Sequence, residues 1–158
     1  MPQVLIVEDD QNDAYFIKRA FELSGVSHAP YICENISEAK RYLEGSGEFA
    51  DRTRFPFPNM MMVDIKMPGG TGFDLLDWIR KHPDVRIIPT IMMSSSSLPD
   101  DVKLGYCLGA NAYMCKPIDT ERFREVFGSL LKFWSCCEVP KVGTPSCEEL
   151  ITARKQAI

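Results

Sequence analysis

A chain of 158 residues, 45% apolar and 25% charged, is long enough for one domain with a full core and needs no staple to hold it. Its net charge of -4 excludes the basic surface that nonspecific nucleic-acid binding requires, and no apolar stretch approaches the roughly 20 residues that cross a bilayer. The six cysteines, Cys33, Cys107, Cys115, Cys136, Cys137 and Cys147, contain no C-x-x-C pair, so free thiols are expected rather than a zinc site or a disulfide framework.

Residues 1–5 run into an apolar stretch without a basic segment or a small-residue cleavage site, so a cytoplasmic location is expected. The first strand is predicted over residues 3–7, and its apolar core ends in Glu8-Asp9-Asp10. A helix is predicted over 10–24, with Ala14, Ile17 and Phe21 on one face and Gly25 placed to stop it. A weaker strand over 29–33 contains Pro30, which suits a sheet edge, and a helix follows over 36–44. Residues 45–59, with Phe49, Phe55 and Phe57, make an unusually long connection for a compact α/β domain. An ordered insertion whose aromatic rings pack onto the body is expected.

The central strand is predicted over 60–63, ending at Asp64, and a helix over 72–81 is stopped by Pro83. A fourth strand over 87–93, a helix over 99–108 and a fifth strand over 112–115 complete the alternation, and Lys116-Pro117 follows the last strand. The closing helix, 119–134, carries Phe123, Val126, Phe127, Leu130 and Trp134 on one stripe. The chain thus divides into a domain over 1–134 and a tail over 135–158, where Ser146 and Glu149 are spaced as a capping box opening a short helix to about Gln156.

Five alternations of strand and helix predict a parallel sheet covered on both faces. The carboxyl ends of such strands face one crevice, so Glu8, Asp9, Asp64 and Lys116 should meet there although they lie far apart in sequence. Carboxylates about 4 Å apart repel by roughly 4 kcal/mol per pair at an effective dielectric of 20, so the acids need a cation or must keep protons. Oxygen ligands suit Mg²⁺ or Mn²⁺.

These residues resemble the receiver domain of two-component response regulators. Asp64-Ile65-Lys66-Met67-Pro68 looks like that family's phosphoacceptor segment, with Ser94, Tyr113 and Lys116-Pro117 following in the family's order. The resemblance implies a flavodoxin-like (βα)5 three-layer sandwich with strand order 2-1-3-4-5. It implies Asp64 as phosphoacceptor, Asp9, Asp64 and the Lys66 backbone carbonyl as metal ligands, and Glu8 as a contact through water. It makes Ser94 and Lys116 the groups that hold the phosphoryl oxygens, and Ser94 with Tyr113 the switch. A sensor histidine kinase is the implied donor, and the protein is a self-acting switch rather than an enzyme with turnover. The insertion and the tail look like those of stand-alone receivers that partner bacterial phytochrome-type kinases.

Plainer readings stand beside these. Asp10 suits an N-cap better than a metal, Lys116 taken alone is a solvated lysine, Ser94 opens a polar run of serines, and Tyr113 is a half-buried strand aromatic. Phe133-Trp134 reads either as burial against the tail or as a homodimer seam along the last helix. Two rival functions remain: an aspartyl-phosphate phosphatase, in which Lys66 stands where a second acid is needed, and a scaffold receiver that is never phosphorylated. The expected readout is a partner protein, a change in self-association or phosphate relay, with no nucleic acid and no membrane involved.

Overall fold

The computed structural model describes residues 3–24, 29–143 and 145–156. Five strands, β1 (Val4–Val7), β2 (Tyr31–Cys33), β3 (Met60–Asp64), β4 (Thr90–Ser94) and β5 (Ala112–Cys115), form one parallel sheet. Their order across the sheet is 2-1-3-4-5, as expected, with β2 at an edge. The helices are α1 (Gln11–Leu23), α2 (Ile36–Glu44), α3 (Gly72–Lys81), α4 (Pro99–Cys107), α5 (Thr120–Ser135) and α6 (Cys147–Gln156). Among the described residues, no helix is long and apolar enough to cross a membrane.

Side-chain alternation sorts the core into two layers. Val4, Ile6, Met60, Met62, Ile91 and Met93 pack toward α1 and α5, against Ile17, Phe21, Phe123 and Phe127. Leu5, Val7, Met61, Val63 and Met92 pack on the other face, against Leu43 of α2 and Leu75, Leu76 and Ile79 of α3. The register aligns the strand tips: Val7 lies opposite Val63, Asp64 opposite Met93, and Ser94 opposite Cys115. Residues just past each strand therefore share one rim.

Most differences from expectation are at element ends. Asp119 is an N-cap rather than a helical residue, accepting from the Arg122 amide, while Asp10 caps α1 as expected and accepts from the Asn12 and Asp13 amides, so α1 proper starts one residue later. Gly25, expected to stop α1, lies outside the described residues. The fourth strand begins at Thr90 instead of Ile87 because Pro89 has no N–H for the ladder, and the Ile88 carbonyl is taken by Thr90 Oγ1 and Arg80 Nη1. On α5 the buried line is Phe123, Phe127 and Leu131, whereas Val126, Leu130 and Trp134 are only half-buried, because the sheet and α1 cover a narrower strip than the full apolar stripe. An unanticipated two-residue ribbon pairs Lys66–Met67 with Gly70–Thr71 just after the central strand. The tail helix carries the reciprocal bonds of a capping box, Glu149 amide to Ser146 Oγ and Ser146 amide to Glu149 Oε2. All six cysteines are free thiols.

The 45–59 segment is ordered and packed by its aromatic rings. Gly45 closes α2 in the left-handed region (φ 69°), and Phe49, wholly buried, meets Tyr31, Tyr42 and Phe55 at centroid distances of 5.8, 5.2 and 5.1 Å. The Arg52 guanidinium donates to the Tyr42 and Leu43 carbonyls at 2.7 Å each and lies 3.9 Å from the Phe57 ring, so one cation satisfies the open end of α2 and stacks the loop. Truncation of Phe49 to Ala should cost about 3–5 kcal/mol, read as a lower urea midpoint at unchanged slope, since the cavity opens inside a fully packed aromatic cluster. A loss below about 1 kcal/mol would mean that the segment merely rests on the surface.

Candidate functional site

Strand parity decides which side chains meet. Glu8 continues the Val4, Ile6 face of β1, Asp64 the Met60, Met62 face of β3, and Lys116 the Ala112, Met114 face of β5, so all three turn to the α1/α5 side of the rim. Lys116 Nζ lies 2.7 Å from Glu8 Oε2, 2.8 Å from Asp13 Oδ2 and 3.1 Å from Asp64 Oδ1. Glu8 and Asp64 are buried, while Asp9 is exposed at the mouth. One carboxylate oxygen from each of Glu8, Asp9 and Asp64 falls within a mutual 4.8 Å.

Gly72 adjoins the pocket at the start of α3. Its amide donates to the Ile65 carbonyl at 2.9 Å, and a Cβ here would collide with the Asp64 carbonyl oxygen. The Thr71–Asp74 capping box fixes this turn against the strand. Lys66 follows Asp64 in the first arm of the ribbon, with its side chain exposed.

Burial pushes the Glu8 carboxyl up to about 7 and raises that of Asp64 as well, each against the pull of Lys116. Burial acts in the opposite sense on Lys116, yet Asp13, Glu8 and Asp64 more than offset it and hold the ammonium above its ordinary range. Three acids thus contact one fixed cation, and a fourth, Asp9, stands beside two of them. Glu8 Oε1 accepts from the Asp10 amide at 3.2 Å, whereas Oε2, although next to Lys116, has no aligned hydrogen-bond donor. A buried carboxylate oxygen with an unused lone pair, two further carboxylates beside it and an open side at Asp9 fit a hard divalent cation such as Mg²⁺ or Mn²⁺.

By strand parity Ser94 and Tyr113 turn to the other face of the rim, which continues toward α3 and α4. Ser94 is buried, and its Oγ accepts from the Ser96 amide at 3.0 Å; Tyr113 donates its hydroxyl to the Ser96 carbonyl at 3.2 Å. Both therefore hold the loop between β4 and α4. The Tyr113 ring passes Gly105 of α4, where a Cβ would lie 3.1 Å from Cδ2. Asp10 caps α1 and takes no part in the acid cluster. Asp13 was not anticipated; its signal is its place in the first turn of α1, one turn beyond Asp9 and on the rim side.

A sequence profile described as the response regulator receiver domain matches residues 4–127. The response regulator Rcp1 of Synechocystis is 27% identical over 83% of this chain and 87% of its own length, and the structure of the Mn²⁺-bound form of Rcp1 superposes with a TM-score of 0.79 over 89% of this chain and 99% of that one, at 26% identity. Response regulator RPA3017 in red light signalling of R. palustris superposes with a TM-score of 0.84 at 27% identity, covering 90% of this chain and all of the other. The phosphorylated cyanobacterial phytochrome response regulator RcpA gives 0.81 at 26% identity, over 89% of this chain and 99% of its own.

The raised carboxyls give the protein a definite pH dependence. Between about pH 4.5 and 7 native Glu8 keeps a proton that the unfolded chain has lost, so in EDTA stability should fall as the pH rises through this window, by at most on the order of 3 kcal/mol. Asp64 adds in the same sense, while the lowered carboxyls of Asp10, Asp74 and Glu149 act only below about pH 4.5. Urea unfolding at several pH values should show this slope in wild type, its loss in Glu8→Gln, and stabilisation by Mg²⁺ that grows as the pH rises. Equal slopes for both proteins in EDTA would contradict the assignment.

Proposed function

The chain belongs to the response regulator receiver family, and from that premise we propose that it is a phosphorylation switch charged on Asp64 by a sensor histidine kinase. The observation that carries the proposal is a buried Asp64 carboxylate beside the Lys116 ammonium, with Glu8 and Asp9 close enough to share a cation with it. Mg²⁺ or Mn²⁺, held by Asp9, Asp64, the Lys66 carbonyl and, through water, Glu8, would neutralise charge on the transferring phosphoryl group.

An Asp64 carboxylate oxygen attacks phosphorus and forms the acyl phosphate bond. The bond from phosphorus to the donor imidazole nitrogen breaks, and its electron pair stays on that nitrogen. Lys116 offers an ammonium to the incoming oxygens, and the Ser94 hydroxyl offers a hydrogen bond. When Ser94 turns to the phosphoryl group it lets go of the Ser96 amide, and the loop that Tyr113 also holds can shift. Moving a two-state surface from 1:99 to 99:1 takes about 5.5 kcal/mol of differential stabilisation, which these contacts would share.

Turnover on an external substrate is not part of this reading. A phosphatase of the aspartyl-phosphate type needs an acid two residues after the nucleophile, where this chain has Lys66. Relatives named for phytochrome and red-light signalling support a phytochrome-type kinase as the donor. We place the protein in the cytoplasm, with a protein as its downstream target. A homodimer seam along α5 is supported by Phe133, which is 63% exposed at the end of that helix, whereas Trp134 packs against its own core.

Phosphotransfer from labelled candidate kinases tests the reading. Wild type should take up label and Asp64→Asn should take up none while unfolding at an ordinary temperature; equal labelling of both would place the acceptor elsewhere. Light scattering should give a dimer mass that falls toward the monomer in Phe133→Glu, and a monomer mass for wild type with and without a phosphoryl mimic would remove the seam.

A further inference from the structure

We propose that Asp13 is a positioning residue, a releasable latch that holds the Lys116 ammonium until a phosphoryl group on Asp64 takes it over. The inference rests on the phosphoacceptor reading of Asp64 and extends it to a residue outside the cation cluster. Lys116 Nζ has three carboxylates within 3.1 Å, so a newly arrived anion must draw the ammonium away from at least one of them. Of the three contacts, the one to Asp13 has hydrogen-bond geometry, at 2.8 Å, and the one to Asp64 is the longest.

Phosphorylation of Asp64 brings about two negative charges to within reach of this ammonium, so one carboxylate must yield its share. The buried carboxyls are poor candidates. The Glu8 side chain has no exposure, so water cannot take the place of the ammonium there, and Asp64 itself becomes the acyl phosphate that carries the incoming charge. Asp13 is 31% exposed, and water can replace the ammonium at its carboxylate. It stands in the first turn of α1, where its own amide is held by the Asp10 cap, so the carboxylate stays in place when the amine leaves.

The exchange also has a structural consequence. Asp13 and Lys116 are 103 residues apart, and their bond ties the start of α1 to the segment between β5 and α5. Its release uncouples these two elements on the side of the rim opposite Ser94 and Tyr113. Phosphorylation thus acts on two loops at once, through Ser94 on one face and through the freed α1 on the other.

The test is the rate of phosphoryl uptake from acetyl phosphate with Mg²⁺, followed by intact mass, in wild type, Asp13→Asn and Asp13→Glu. Removal of the latch charge should speed uptake about threefold or more in Asp13→Asn, and Asp13→Glu, which keeps a carboxylate within reach of Lys116, should return the rate toward wild type. A residue that served only the helix would not give this charge-dependent pattern. Thermal unfolding checks that each variant is folded, and Asp13→Ser, which also suits a first helical turn, carries the same expectation as Asp13→Asn. An unchanged or slower rate in folded Asp13→Asn and Asp13→Ser, beside a wild type that is labelled normally, would overturn the latch alone. A wild type that takes no label would overturn the phosphoacceptor reading and the latch with it.

Discussion

A single buried ammonium sets the architecture of the rim. Lys116 contacts acids from the tip of β1, the tip of β3 and the first turn of α1, so its charge joins three elements that the sheet alone would leave as separate loops. Removal of one partner from a buried ion pair typically costs about 3–5 kcal/mol, because the remaining charge stays desolvated. In this cluster the acids outnumber the fixed cation, so loss of the lysine would be felt by several groups together. The same imbalance leaves room for a divalent ion: Glu8 keeps an unused lone pair, and Asp9 stands open to solvent beside it.

The sheet explains how such a cluster is built without strain. Parity carries Glu8, Asp64 and Lys116 to one face of the rim and Ser94 and Tyr113 to the other. The acids with Lys116 and the Ser94 and Tyr113 contacts to the following loop thus lie on opposite faces, while the register of β3, β4 and β5 keeps their strand tips adjacent. Gly72 lets α3 start directly against Asp64, and Gly105 lets α4 pass close to the Tyr113 ring. Each small residue sits where a bulkier one would push a functional group out of place.

Much of this was legible in the sequence, for identifiable reasons. The runs Val4–Val7 and Met60–Asp64 are apolar over every core position and end in acids, which reads as a buried parallel strand and its tip. The strand order came from the family resemblance and agrees with the structure. The ribbon after β3 escaped, and so did features set by backbone chemistry or tertiary placement. Pro89 shortens the fourth strand through a backbone donor that hydropathy does not register. The α5 stripe predicted which residues are apolar but not which fraction of them the neighbouring α1 covers, so Leu131 was missed. Asp13 and Arg52 act through contacts that depend on tertiary placement, and no local periodicity marks an acid for a lysine 103 residues away.

The central claim is that one carboxylate among several in this pocket becomes the phosphoryl carrier, and chemical mapping of the modified residue tests it most directly. Borohydride reduces an aspartyl phosphate to homoserine, so the phosphorylated protein can be reduced, digested and sequenced by mass spectrometry. The account predicts homoserine at position 64 and aspartate retained at positions 9, 10 and 13. Reduction at any of those three positions, with position 64 intact, would contradict it.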